Sequence, residues 1–139
     1  MDEKTSNPDS EQVQQIRQIL EAWADTTRRG QLDLVLIHHD RDALIYDVLA
    51  PLKYEGTEAY RRSWDEWHPD TPEDGVFELQ DLNITAGEEV AFAHGLIRCG
   101  GTAPDGKVFS DTVRATFCLS RDAGAWTIRH QHISKPIEL

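Results

Sequence analysis

The feature that most constrains the fold is a change in the spacing of apolar residues near position 76. Before it, apolar residues recur every three or four positions, as in amphipathic helices, and after it they alternate. One long helix is predicted from near Pro8 to a glycine cap at Gly30, and a short one over residues 32–38. Thr57 is a suitable cap for a third helix.

The alternating part of the chain predicts a series of hairpins. Strands are expected at residues 76–82, 89–101, 107–119 and 126–134, after a short strand at 43–48. Helices followed by hairpin-joined strands are typical of the α+β class, with the helices gathered on one face of a curved antiparallel sheet. Such a sheet can wrap a pocket.

Length and composition indicate one globular domain. The chain has 139 residues, and we expect a flexible segment at residues 1–10 followed by a single domain at 11–139. No apolar run approaches the roughly 20 residues that span a bilayer, and the acidic start does not resemble a secretory signal. We therefore expect a soluble, cytoplasmic chain in which Cys99 and Cys118 are buried thiols.

The charge of the chain argues against two classes of partner. Its formal net charge is −11, and its basic residues form no run longer than two. Lys and Arg supply most of the affinity for nucleic acid, so neither nucleic acid nor an anionic membrane is an expected partner.

The hairpin turns predict which side chains share a face of the sheet. A loop at Pro104 places Arg98 near Thr112 and His94 near Thr116, and pairing of Ser120 with Trp126 then sets the last strand. One predicted face, the outer one, carries Phe92, His94, Leu96, Arg98, Thr112, Arg114, Thr116, Trp126, Ile128, His130 and His132. The other, lying under the helices, carries Ala91, Ala93, Gly95, Ile97, Cys99, Asp111, Val113, Ala115, Phe117, Arg129, Gln131 and Ile133. A slip of one residue in either turn would exchange these faces.

Three segments carry a resemblance to a known superfamily: LEAWADTTRRGQLDLVLIHHDRDALIYD, GTEAYRRSW and GAWTIRHQHISKP. Over residues 12–136 the chain resembles the ketosteroid-isomerase/SnoaL-like, or nuclear-transport-factor-2-like, superfamily. The closing Trp-x-Ile-x-His-x-His-x-Ser pattern is also similar to the association domain of calcium/calmodulin-dependent kinase II and to bacterial SnoaL-like proteins. The resemblance implies a cone-shaped barrel of a curved antiparallel sheet, covered by three N-terminal helices.

The resemblance also implies roles for particular residues. Asp47 matches the aspartate that moves the proton in ketosteroid isomerases, and the tyrosine that donates to the oxyanion falls on Trp23. An indole N–H can donate a hydrogen bond but cannot act as a phenolic acid. The second donor of those enzymes falls near Ala115 and is missing, so steroid isomerisation itself is not expected.

Each candidate site residue has a structural alternative. Asp47 is either an acid–base group with a raised pKa or a structural aspartate bonded to a backbone N–H or an arginine. Aromatic residues that could line a pocket, or simply fill the core, are Trp23, Tyr54, Trp64 and Trp67. Polar residues of the inner face that could orient an oxygen-bearing ligand are Asp111, Arg129 and Gln131.

A metal site is a weaker hypothesis than association. His130 and His132 share a side of one strand near His94, but HxH is a short motif, so no metal or cofactor is expected. On the outer face these residues suit a dimer interface, and we expect a homodimer across an apolar patch of Phe92, Leu96, Trp126 and Ile128.

Two functions stay open from the sequence. The first is a small-molecule-binding protein that acts as a cofactor-independent isomerase, cyclase or dehydratase on an apolar carbonyl compound, with Asp47 as acid or base. Trp23, Gln131 or Arg129 would then hold the oxygen. The alternative is a non-catalytic ligand-binding or dimeric association module. The fold by itself cannot decide, because this architecture supports many reactions.

Overall fold

The computed structural model describes Asn7, residues 10–67 and residues 74–139, and for residues 65–67 it describes the backbone only. Apart from Asn7 and Ser10, the predicted flexible segment at residues 1–10 lies outside this part. The described elements are α1 (Glu11–Arg29), α2 (Leu32–Val35), β1 (His39–Tyr46), β2 (Tyr54–Glu55), α3 (Thr57–Trp67), β3 (Val76–Ala86), β4 (Val90–Thr102), β5 (Val108–Asp122) and β6 (Ala125–Ser134).

The helix boundaries follow from local capping. Ser10 caps α1 by accepting a hydrogen bond from the backbone N–H of Val13 at 3.2 Å, and Gly30 ends it with φ of 70°. Helix α2 ends at Val35, three residues earlier than predicted. The backbone N–H of His39 then bonds the carbonyl of Leu36, and the chain enters β1 directly.

The strands form one six-stranded sheet in the order β2-β1-β6-β5-β4-β3. Strands β3 to β6 are joined as antiparallel hairpins, but β1 pairs with β6 in parallel. The sheet is therefore mixed, and the prediction of an entirely antiparallel sheet was wrong at this pair. It is curved but not closed, and helices α1 and α3 pack on its inner face in an α+β arrangement.

The predicted register is confirmed in one hairpin and wrong in the next. Between β4 and β5, Arg98 lies opposite Thr112 and His94 opposite Thr116, as expected. Between β5 and β6, Leu119 lies opposite Ile128 and Cys118 opposite His130, so Arg129 is an extra residue in a β-bulge.

This bulge reverses the alternation in the first half of β6. Trp126 and Ile128, expected on the outer face, lie in the core with 5% and 0% exposure. Arg129, expected to point inward, is exposed. Beyond the bulge the alternation agrees with the prediction, and Gln131 and Ile133 face the core.

The two faces of the sheet differ in character. On the inner face, Trp23 of α1 packs edge-on against Phe77 and Phe117, with ring centroids 5.4 and 5.0 Å apart. Away from the helices lies a surface that we call the outer face, defined by Tyr46, Phe92, His94, Leu96, Arg98, Thr112, Arg114, Thr116, Cys118, His130 and His132.

Candidate functional site

Asp47 lies at the end of β1, where the strand passes toward α3. Tyr46 is opposite His132, so Asp47 comes one residue further along the same direction of β6. The side chain is half-buried. Its Oδ1 accepts a hydrogen bond from the backbone N–H of Val48 at 2.7 Å, and its Oδ2 accepts one from the hydroxyl of Tyr60 at 3.4 Å.

The surroundings of Asp47 favour the protonated carboxyl. Burial raises the pKa of Asp47 above its usual value, while the hydrogen bonds from Val48 and Tyr60 act in the opposite direction. Within the described residues no ion pair joins Asp47 to a basic side chain. The backbone bond of a structural aspartate is therefore present, but the arginine partner is not.

An aromatic wall stands beside this carboxyl. Tyr60 packs edge-on against Tyr54, with centroids 5.3 Å apart, and against Trp64 at 6.4 Å. Burial and the nearby charge of Asp47 raise the pKa of Tyr60, against a lowering effect of the hydrogen bond with Trp64. The phenol therefore keeps its proton at neutral pH and can act as a hydrogen-bond donor.

A buried polar pair joins His39, at the start of β1, to Gln131 of β6. The Nε2–H of His39 donates to Oε1 of Gln131 at 2.8 Å, and Gln131 is only 1% exposed. Burial lowers the pKa of His39, against a raising effect of this bond. Gln131 lies opposite Ile45, which is two residues before Asp47. Gln131 and Asp47 are therefore separated by roughly 7 Å along the strand direction.

Other predicted site residues lie elsewhere. Arg129 pairs with Asp40 at 2.9 Å and with Asp122 at 3.6 Å on the surface, because the bulge turns it outward. Asp111 forms an ion pair with Lys135 at 2.8 Å. Trp23 belongs to the α1 cluster and not to the aromatic wall, and the side chain of Trp67 lies outside the described residues.

Four of the predicted residues are thus gathered in one region: Asp47, Tyr54, Trp64 and Gln131. Two residues of this region, Tyr60 and His39, were missed as site residues. The four-residue spacing of Tyr60 and Trp64 puts both on one face of α3, but the contact of Tyr60 with Asp47 depends on how α3 docks against β1. His39 gave no signal beyond its place in the His38-His39 pair at the end of the second predicted helix.

Neither a metal-binding cluster nor a membrane-spanning helix is found in the residues that the structure describes. Among them, no three His, Cys, Asp or Glu side chains are grouped so that they could hold a metal ion. In that same part of the chain, no helix has both the length and the apolar character needed to cross a membrane.

Solved structures with the same architecture define the class of protein. A nuclear-transport-factor-2-like protein from Pseudomonas putida KT2440 is 30% identical, with 89% of this chain and 86% of that chain covered and a TM-score of 0.79. The association domain of C. elegans CaMKII is 17% identical, with coverages of 93% and 100% and a TM-score of 0.75. A ketosteroid-isomerase-like protein from Erwinia carotovora atroseptica is also 17% identical, with coverages of 93% and 99% and a TM-score of 0.77.

The sequence itself identifies the family within this class. The profile of the SnoaL-like domain matches residues 16–138, and the chain belongs to that family. A search of curated proteins gives no significant match. The resemblance that the sequence suggested, and the α+β cone that it implied, are confirmed.

Proposed function

We propose that this chain binds a small, largely apolar carbonyl compound and moves a proton on it without a cofactor, as an isomerase, cyclase or dehydratase does. The observation that carries the proposal is the Asp47 carboxyl, which has a raised pKa and contacts the Tyr60 hydroxyl at 3.4 Å. A carboxyl whose proton affinity is tuned toward neutrality suits general acid–base catalysis.

The roles follow from the donors and acceptors in this region. Asp47 as carboxylate takes a proton from the carbon beside the carbonyl and returns it at another position. Tyr60, protonated at neutral pH, turns its hydroxyl from Asp47 to the substrate once that carboxylate has taken the proton, and donates to the oxygen on which negative charge develops. The amide N–H₂ of Gln131 is a second donor, because the amide oxygen of that residue is occupied by His39.

The aromatic wall supports an apolar substrate. Tyr54, Tyr60 and Trp64 are 5%, 6% and 8% exposed, so packing holds their rings rigid and the surroundings of Asp47 are apolar. The ketosteroid-isomerase-like neighbour is consistent with proton chemistry in this fold, but its 17% identity supports the fold alone.

The proposal is tested by proton exchange. Acetophenone and cyclohexanone in D₂O are followed by ¹H NMR, with wild type, Asp47→Asn and Asp42→Asn compared; Asp42 is an exposed aspartate of β1. Wild type and Asp42→Asn should accelerate loss of the α-proton signals, and Asp47→Asn should lose roughly 10²- to 10⁴-fold of that acceleration. Equal exchange rates for wild type and Asp47→Asn would contradict the role of Asp47.

We propose a second function, association of two copies through the outer face. Of the apolar patch expected from the sequence, Trp126 and Ile128 are buried in the core. Phe92 is 42% exposed and lies beside Leu96 on the outer face. The outer face also carries two arginines, Arg98 and Arg114, and Glu78 of β3 lies opposite Arg98. The chain as a whole has a net charge of −11. This face is therefore less acidic than the chain as a whole, which lowers the repulsion between two copies there. The CaMKII association domain among the neighbours is consistent with this use.

Sedimentation equilibrium at micromolar concentration tests association. Wild type should be a dimer, and Phe92→Lys should shift it toward monomer because the change buries a charge at the interface. Leu52→Lys is the control, since Leu52 is 89% exposed in the β1–β2 loop and is not one of the outer-face residues. A wild-type monomer, or equal dissociation in both variants, would refute the interface.

A cytoplasmic location stays a prediction of the sequence.

A further inference from the structure

A cavity of about 140 Å³ lies between α1, α2 and β6. Three of its lining side chains, Trp23, Val35 and Ile128, are 5%, 3% and 0% exposed, so its deeper part belongs to the core. Two others, Leu34 and Ile37, are 47% and 64% exposed and lie toward solvent. The cavity therefore has an apolar interior and an accessible rim.

The polar groups of this cavity are few. Thr26 lines it, but its hydroxyl donates to the carbonyls of Ala22 at 2.9 Å and Trp23 at 3.2 Å within its own helix. His38 is the titratable residue of the lining, and none of the described lining residues is Asp, Glu, Lys or Arg. Apart from His38, the lining offers no ionic partner to replace the hydration of a charged guest, so it favours a neutral one.

The cavity is separate from Asp47 and Tyr60, although His39 lies opposite its lining residue Ile128. Ile128 lines it, and Tyr46 lies opposite His132, which puts Asp47 about five residues further along β6. At the rise of a β-strand this separation is roughly 16 Å. Neither Asp47 nor Tyr60 is among the residues that line the cavity.

We propose that this cavity is a binding site for a small neutral apolar ring, of the size of a monocyclic aromatic compound. An enclosed apolar cavity of about 150 Å³ can take up benzene or xenon, and the apolar interior here has a similar volume of about 140 Å³. Trp23 supplies an aromatic wall. The exposed side chains of Leu34 and Ile37 form the entrance of the cavity. The site goes beyond the proposed function, because its lining excludes the acid–base group.

Toluene and benzoate test the site, since they share a ring and differ in charge. Each is titrated into ¹⁵N-labelled protein, and the backbone amide shifts of Trp23, Val35 and Ile128 are followed. Toluene should bind saturably with a dissociation constant on the order of 1 mM, as expected for so few atoms. Benzoate should not shift these amides.

Variants on α1 locate the binding. Ala22 lines the cavity and is exposed, so Ala22→Phe should fill it without unfolding the helix and weaken toluene binding more than tenfold. Gln18→Phe is the matched control, one turn earlier on the exposed surface, and should bind toluene as wild type does.

The outcomes also separate this proposal from the Asp47 function. Asp47→Asn should leave toluene binding unchanged, so the two can fail independently. The site is refuted if toluene shifts none of the lining amides, if benzoate binds as well as toluene, or if Ala22→Phe and Gln18→Phe have equal affinity. A wild-type dimer that Ala22→Phe dissociates would also overturn it, because a second copy would then be the occupant.

Discussion

The buried pair of His39 and Gln131 makes a quantitative prediction about stability. Gln131 is 1% exposed, and its Oε1 accepts the Nε2–H of His39 at 2.8 Å. Replacing Gln131 by Leu keeps most of the volume but leaves that donor without its acceptor in the core. We expect a loss of about 1–3 kcal/mol, the usual cost of a buried unsatisfied group.

The double variant decides whether the hydrogen bond is the cause. His39→Leu strands the Gln131 oxygen and should also destabilise, whereas His39→Leu with Gln131→Leu removes both polar groups. An apolar pair of similar shape is close to neutral, so the double variant should lose clearly less than the sum of the single losses.

The assay is urea unfolding at pH 7.5, with the m-value checked for each variant. The coupling energy should be about 0.5–3 kcal/mol, in the range found for residues in contact. Losses that add within about 0.3 kcal/mol would refute the reasoning, because independent sites behave in that way.

Three further predictions follow from titration and packing. Burial lowers the pKa of His39, so the unfolded chain binds more protons than the folded one below pH 6.5. The free energy of unfolding, measured in urea, should therefore rise with pH up to about 6.5, and His39→Leu should flatten this rise. Because the pKa of Asp47 is raised, its ionisation opposes folding, so Asp47→Asn should keep or gain stability at pH 7; a loss above about 1.5 kcal/mol in urea would contradict this. Trp126→Ala should cost about 3–5 kcal/mol by urea unfolding, since the ring is 5% exposed, and clearly more than Phe92→Ala at 42% exposure; equal losses would be inconsistent with the bulged register.

The order of helices and strands could be predicted because each depends on local pattern. The glycine cap at Gly30, the start of α3 at Thr57 and the hairpin between β4 and β5 all match. The parallel pairing of β1 with β6 could not be found in this way, because it joins segments that are far apart in the chain and carries no turn signal.

The site could be predicted only in part. Gln131 was placed correctly because it lies beyond the bulge, where the alternation of β6 holds. Arg129 was placed on the wrong face, because strict alternation along a strand gives no indication of a single extra residue. The contact between Asp47 and Tyr60 requires α3 to dock against β1, and neither local spacing nor propensity specifies that.

The most direct test of the acid–base role is the titration of Asp47 itself. The side-chain carboxyl ¹³C signal is followed from pH 2 to 8 and assigned by its loss in Asp47→Asn. We expect a pKa for Asp47 above the ordinary value of 3.8, because burial disfavours the ionised form. Asp74 is an internal comparison, because its hydrogen bonds with Thr102 lower the pKa of that carboxyl. An Asp47 pKa at or below 3.8 would contradict the proposed catalytic role.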